Sequence, residues 1–232
     1  MRDEESAAPP RVHVIDDDES FRNSMLRMLA ANHFPAAGYR CAGEFLLANV
    51  LDDPGCMLLD ISMPGPSGVE LLKALRSRHW APPVVLLTGY DDVLTSVDAM
   101  KSGAVDYILK PADADRILHA VRKALQIDEQ RRAARRAIEE LRSRFAQLSE
   151  AERTIFFGIA NSKLNKQLAV QLGFCERTIK ARRARMMLKL QIRSLPDLVR
   201  ASRILETCEP AFSTARALDA SADVGREPTQ SA

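Results

Sequence analysis

Met57-Leu58-Leu59-Asp60-Ile61-Ser62-Met63-Pro64-Gly65-Pro66-Ser67-Gly68 is a short apolar run that ends in one carboxylate, turns through Met-Pro-Gly and enters a helical pattern. In an open parallel sheet, ligands and chemistry collect at the carboxyl ends of the strands. Asp60 stands where such a strand stops, so it reads as a nucleophile whose covalent state controls the molecule. The flanking segments repeat the pattern. Arg11 to Ile15 is a β-branched run that ends in Asp16-Asp17-Asp18-Glu19, and Ser20 to Ala31 follows with Phe21, Met25, Met28 and Leu29 at helical spacing. Residues 36–42 are expected as a second strand, Glu44 to Val50 as a second helix, Cys56 to Asp60 as the third strand and Gly68 to Arg78 as a helix. Pro83 to Thr88 is the fourth strand. Val93 to Ser102 is a helix stopped by Gly103, and Val105 to Leu109 is the fifth strand, ending at Lys110-Pro111. This alternation predicts right-handed βα units and a doubly wound, five-stranded parallel sheet.

In such a sheet Asp16, Asp17, Asp60, Thr88 and Lys110 meet in one crevice. Crowded carboxylates repel and take up protons unless a cation joins them. Hard oxygen ligands suit Mg²⁺, which keeps several waters and needs only one or two carboxylates. A carboxylate can form an aspartyl-phosphate directly. The transfer then needs positioning and charge neutralisation, for which Lys110 supplies a cation and Thr88 a hydroxyl donor.

Residues 11–125 resemble the receiver domain of bacterial two-component response regulators, a flavodoxin-like fold. The resemblance rests on Val14-Ile15-Asp16-Asp17-Asp18, on Leu58 to Gly65, on Leu87-Thr88-Gly89 and on Gly103 to Pro111. It implies Asp60 as the phospho-acceptor, Asp16 and Asp17 as Mg²⁺-binding acids, and the backbone carbonyl of Ser62 as a further ligand. Asp18 stands where the family often has Glu and receives no ligand role. Thr88 and Tyr107 match the family's switch pair, in which the hydroxyl moves toward the phosphate and the aromatic ring turns in behind it. Lys110-Pro111 matches the family's cis peptide.

The chain has 232 residues, enough for two ordinary domains, and 46% of them are hydrophobic. No run approaches the roughly 18 consecutive apolar residues of a membrane span. Met1 to Pro10 is acidic and lacks the order of a signal peptide, so a cytoplasmic location and a disordered N-terminus over 1–10 are expected. Cys41, Cys56, Cys175 and Cys208 are scattered, match no metal-ligand spacing and read as free buried thiols. The net charge of +2 hides an asymmetry. Residues 11–112 carry nine Lys or Arg against thirteen Asp or Glu, a net of −4, whereas residues 161–205 carry eleven against two, a net of +9. The split argues for two domains and gives the second a polyanionic partner, with nucleic acid first.

Between them, Asp113 to Leu148 has no Gly or Pro and reads as helix. Leu118, Val121 and Leu125 give it an inner face. Beyond, along the linker 126–147 and into the next segment, Ile127, Ala134, Ile138, Leu141, Phe145 and Leu148 form a candidate coiled-coil seam interrupted at Arg131, which suggests a homodimer. Residues 148–206 read as several short helices. Ser149 to Glu152 is a capping-box-like start. Asn165 to Leu172, a turn at Gly173-Phe174 and Glu176 to Leu190 give the helix-turn-helix outline. The second helix is Arg-rich, with Ile179, Ala184, Met187 and Leu188 available for packing. Residues 207–232 are Ala-, Ser- and Pro-rich and are expected to be disordered.

This second segment resembles the luxR-type output domain of the NarL/FixJ regulators through Leu148 to Arg153, Leu164 to Ala169, Leu172-Gly173 and Glu176 to Arg183. It departs at Ser162, where the family has Gly, at Cys175, where Ser or Thr caps the recognition helix, and at Arg182, where His is usual. In the implied docking Lys180 and Ala181 face base edges with Arg177 and Ala184 nearby. Lys166, Thr178, Arg182, Arg183 and Arg185 face phosphates.

The joint reading is a regulator phosphorylated on Asp60 by a sensor histidine kinase. It would bind promoter DNA as a dimer, with RNA polymerase a further candidate partner, and would do no catalysis beyond its own phosphorylation and dephosphorylation. Two rivals stay open. One is a haloacid-dehalogenase-like phosphotransferase using Asp16, which lacks a late strand ending in an acid pair and a cap domain here. The other is a DNA-binding dimer that works without phosphorylation.

Overall fold

A computed structural model of the chain describes residues 9–76, 81–89 and 103–208. They fall into two compact units, Met1–Ala133 and Ala134–Ala232. The expected helix at 93–102 and the expected disorder of residues 1–8 and 209–232 lie outside the described residues.

The first unit contains β1 (Arg11–Ile15), α1 (Glu19–Ala31), β2 (Ala36–Tyr39), α2 (Ala42–Leu47), β3 (Gly55–Asp60), α3 (Gly68–Arg76), β4 (Val84–Thr88), β5 (Asp106–Leu109) and the start of α4 (Ala114–Ala146). The strands form one parallel sheet in the order β2-β1-β3-β4-β5. The order reverses direction between β1 and β3, the switch point at which α/β sheets open a crevice. The central strands are buried on both faces, which explains their unbroken apolar runs. Ile15, Met57, Leu59 and Leu86 pack on one face with Phe45 of α2 and Leu72 of α3. Val14, Leu58 and Leu87 pack on the other with Leu29 of α1 and Ile117 and Val121 of α4.

Two local devices aim the strand ends. Asp18 caps α1, its carboxylate accepting the N–H groups of Ser20 (2.8 Å) and Phe21 (3.2 Å). This gives Asp18 a structural task and leaves the two preceding acids to face the crevice. Gly68 opens α3 directly over β3: a Cβ there would stand 2.1 Å from the carbonyl oxygen of Asp60. Only glycine lets the chain return that closely.

The α4 helix stays bonded to the first unit well beyond the predicted inner-face residues. Asp128 is buried and accepts the backbone N–H of Gly55 at 2.9 Å and the Nε of Arg132 at 2.8 Å. Arg132 donates in turn to the carbonyls of Asp52 (2.7 Å) and Asp53.

The second unit holds the end of α4, then α5 (Glu150–Ala160), α6 (Asn165–Leu172), α7 (Glu176–Leu190) and α8 (Leu195–Cys208). Phe145, Leu148, Phe156, Leu168, Ile179, Met186 and Leu198 form its core. Two expectations change here. Phe145 and Leu148 are buried in this core and Leu141 packs against it, so the far end of the proposed seam is occupied within the chain. The tail expected to be disordered from residue 207 is helical through Cys208.

Candidate functional site

The crevice at the carboxyl ends of β1, β3 and β5 is built around one cation. Lys110 Nζ lies 2.6 Å from Asp16 Oδ2 and 3.2 Å from Asp60 Oδ1. It also sits 4.2 Å from the centroid of the Phe21 ring, whose face favours an ammonium. The Lys110–Pro111 peptide is cis. Asp16, Asp17 and Asp60 each offer an oxygen, and these oxygens lie within 4.8 Å of one another. Three hard oxygen donors at that spacing fit a small divalent cation, since it needs only one or two carboxylates and completes its shell with water.

The three acids differ in exposure. Asp16 is fully buried, Asp60 is 5% exposed and Asp17 is exposed. Burial pushes the Asp60 carboxyl above the usual carboxylate range, the Lys110 charge pulls it down and the Asp16 charge pushes it up. The Ser62 N–H also bonds to it. A carboxylate held this way gains from any further cation placed at the same acids.

Thr88 is buried at the end of β4, with its hydroxyl donating to Gly89 O at 3.2 Å. The register pairs Leu86 with Tyr107 and Thr88 with Leu109. Side chains two apart on a strand share a face, so Thr88 and Tyr107 lie on the same face of adjacent strands. Tyr107 packs against the core on that face. Its Oη is buried and has no hydrogen-bond partner among the described residues.

In the second unit, α5 carries a true capping box: Ser149 Oγ accepts the Glu152 N–H, and the Glu152 carboxylate accepts the Ser149 N–H at 2.9 Å. The Glu152 carboxylate also accepts from Lys189 Nζ on α7, at 2.7 and 2.9 Å to its two oxygens. Lys189 is thereby an internal anchor of α7. Gly173 closes α6 at φ 68°, the left-handed turn that leads into α7. Cys175, at the α7 N-cap, makes no side-chain cap bond, and its Sγ pairs with Thr178 Oγ1 at 3.2 Å.

The exposed face of α7 carries Arg177, Lys180, Ala181, Ala184 and Arg185, while Thr178, Arg182 and Arg183 are half-buried. Lys166 on α6 is exposed. The Arg182 guanidinium lies 4.5 Å from the Phe174 ring centroid, stacked on the turn between the two helices. The buried stripe is Ile179, Met186 and Leu190. Ala184 and Leu188, expected to pack, instead face outward, Leu188 at 77% exposure. Of the cysteines, Cys56 is buried, with burial pushing its thiol up to about 12, whereas Cys175 is exposed against expectation.

Residues 12–122 match the family described as the response regulator receiver domain, and residues 146–202 match the luxR family of bacterial regulatory proteins. The transcriptional regulatory protein FixJ of Azorhizobium caulinodans is 40% identical over 82% of this chain and 90% of its own. The chain belongs to the NarL/FixJ family of response regulators. Another relative of this regulator, the nodulation protein W of Bradyrhizobium diazoefficiens, is 35% identical over 87% of the chain and 88% of its own. Among solved structures, the response regulator StyR matches with a TM-score of 0.74 at 35% identity, covering 84% of this chain and 99% of that one. Full-length FixJ from B. japonicum matches with a TM-score of 0.52 at 34% identity, over 84% and 96%. The regulator is thus a receiver domain followed by a luxR-type DNA-binding domain, a transcriptional regulator. No described helix is long and apolar enough to cross a membrane.

The sequence singled out Asp16, Asp17, Asp60 and Lys110, which the fold brings together. It missed Arg22, which bonds to the backbone beneath Asp16, and the Glu152–Lys189 pair. Neither leaves a pattern, because an isolated Arg or Glu in a helix reads as a solvated face.

Proposed function

We propose that a sensor histidine kinase phosphorylates this regulator on Asp60, and that the phosphorylated form binds promoter DNA as a homodimer in the cytoplasm. The observation that carries the reading is Lys110 bridging Asp16 and Asp60 with Asp17 beside them. Asp60 rather than Asp16 is the nucleophile, because the Asp16 side chain is fully buried, with one oxygen on Lys110 and one on the Asp18 N–H at 3.0 Å, whereas the Asp60 side chain keeps 8% exposure. An oxygen of Asp60 attacks the phosphorus. The bond from phosphorus to the donor's imidazole nitrogen breaks, and its electron pair stays on that nitrogen.

Asp16, Asp17, Asp60 and the Ser62 carbonyl would hold Mg²⁺, which supplies charge neutralisation to the phosphoryl oxygens. Lys110 leaves its bridging place to meet one phosphoryl oxygen, and Thr88 donates its hydroxyl to another. Tyr107 follows Thr88 on the shared sheet face and so changes the surface around β4 and β5. Small phosphodonors serve in place of the kinase, and the chain hydrolyses its own aspartyl-phosphate. In the second unit Arg177, Lys180, Ala181 and Ala184 face base edges, and Lys166, Thr178, Arg183 and Arg185 face phosphates. Arg182 acts partly through Phe174. RNA polymerase is the further partner of a DNA-bound activator.

The test is intact mass after incubation with acetyl phosphate and Mg²⁺. Wild type is expected to gain one phosphoryl group and Asp60→Asn none. An adduct that survives Asp60→Asn would move the nucleophile to Asp16.

A further inference from the structure

We infer that Arg22 of α1 is a positioning residue for the acid pair Asp16–Asp17. It sets the peptide between them and with it the direction of the Asp17 carboxylate. The inference rests on the metal-site reading above and assigns a new residue to it. Arg22 is 8% exposed. Among the described residues it has no carboxylate within ion-pair distance. Its NH1 instead donates to the carbonyl of Asp16 at 2.7 Å, with a longer contact to the carbonyl of Asp17 at 3.5 Å. A guanidinium buried without a carboxylate is costly unless it is well hydrogen-bonded, so those carbonyls fix where it sits.

The accounting at Asp16 shows what Arg22 adds. The Asp16 N–H donates to Tyr39 O at 3.1 Å. One carboxylate oxygen accepts the Asp18 N–H and the other accepts Lys110. The remaining polar atom is the carbonyl, and Arg22 holds it. The next residue, Asp17, is exposed, and among the described residues no hydrogen bond holds its carboxylate, so the plane of the 16–17 peptide decides whether that carboxylate faces Asp60. The Arg22 stem is itself held in place. It lies over Gly38 of β2, where an added Cβ would stand 3.2 Å from both Arg22 Cγ and Cδ and 3.0 Å from Leu26 Cδ1. Groups that orient metal-binding side chains typically change metal affinity by roughly 10- to 100-fold when removed.

The experiment titrates Mg²⁺ alone into the full chain by calorimetry, for wild type, Arg22→Met, Arg22→Lys and Leu29→Ala. Leu29→Ala destabilises the same helix without touching the carbonyl bond. The inference predicts Mg²⁺ binding at least about ten-fold weaker in Arg22→Met, substantial recovery in Arg22→Lys, and wild-type affinity in folded Leu29→Ala. Arg22→Met within two-fold of wild type would overturn it, as would equal weakening in Leu29→Ala, which makes the role merely structural. If Arg22→Met does not fold, Gly38→Ala carries the test by pushing the stem aside while keeping its charge. Roughly three-fold or greater weakening is then expected, scaled down from the loss on removal, and unchanged affinity overturns the inference. A wild-type chain that gains a phosphoryl group but fits these variants poorly sinks only the Arg22 assignment. A wild-type chain that binds no Mg²⁺ sinks the site reading and this inference with it.

Discussion

Replacing Glu152 should loosen the DNA-binding unit through α5 and α7 together. The carboxylate accepts from Ser149 N and Oγ at the start of α5 and from Lys189 Nζ on α7. A lost cap costs about 1 kcal/mol. A hydrogen bond to a charged group contributes about 1.5–3 kcal/mol. Lys189 keeps 43% side-chain exposure, so solvent screening holds its pair to about 1 kcal/mol. We therefore expect Glu152→Ala to cost about 2–3 kcal/mol and Glu152→Gln, which keeps the shape and one acceptor, about 1 kcal/mol. Because the chain has two units, a single melting midpoint does not isolate this effect. Amide hydrogen exchange on the full chain does, since it reads local opening. A loss of about 2 kcal/mol speeds exchange roughly thirty-fold, and the effect should appear in α5 and α7 but not in the sheet.

The pH dependence carries the same signature. Burial pushes the Glu152 carboxyl up, but Lys189 and the two Ser149 donors outweigh it, and the group ends below its ordinary range. A lowered folded-state value contributes stability that is present above the unfolded value of 4.5 and is lost as pH falls through the folded value. Glu152→Gln should flatten that acid limb. Exchange in α7 unchanged by Glu152→Ala would refute the reasoning.

Ser162 adopts φ 63°, a left-handed conformation that favours glycine. Ser162→Gly relieves about 1–2 kcal/mol of left-handed strain and adds about 0.5–1 kcal/mol of unfolded-state entropy, so slower exchange in α5 and α6 by a net gain of about 0.5–1 kcal/mol is expected. His13 is buried against Tyr39 and Phe45, and burial and the Arg11 charge lower its pKa from 6.5 to about 4. The unfolded chain then binds the proton first, so the receiver should lose about 3 kcal/mol as pH falls from 6.5 toward 4. Amide hydrogen exchange in the sheet, corrected for its intrinsic pH dependence, checks this across that range, and His13→Phe should remove the slope. Asp128→Ala orphans the buried Gly55 N–H and removes the acceptor of Arg132 Nε, while the other guanidinium nitrogens keep the carbonyls of Asp52 and Asp53. It should cost the receiver about 2–3 kcal/mol by the same assay at neutral pH.

The two halves of the chain were legible for different reasons. The strands announced themselves because a parallel sheet covered on both faces needs unbroken apolar runs, as in Val84 to Leu87. The helix-turn-helix bounds, Asn165–Leu172 and Glu176–Leu190, were readable because Gly173 marks the turn. The acids and Lys110 were found because strand ends converge. What stayed hidden depends on distance in sequence. Asp128 meets Gly55 across 73 residues and Glu152 meets Lys189 across 37, and each side chain reads as an ordinary exposed charge until the fold pairs it. On α7 Ile179 and Met187 meet the core as expected, whereas Ala184 and Leu188 face outward. The buried stripe runs through Ile179, Met186 and Leu190, and the consecutive Met186, Met187 and Leu188 do not show which of them it takes.

The central claim is that the state of Asp60 controls DNA binding. The most direct measurement selects duplexes from a random pool with the phosphorylated chain, then compares affinity for the selected DNA with and without acetyl phosphate, for wild type and Asp60→Asn, at fixed salt. Our account predicts tighter binding on phosphorylation in wild type and no response in the variant. Equal affinity in all four conditions would contradict it and make the regulator a phosphorylation-independent DNA-binding dimer.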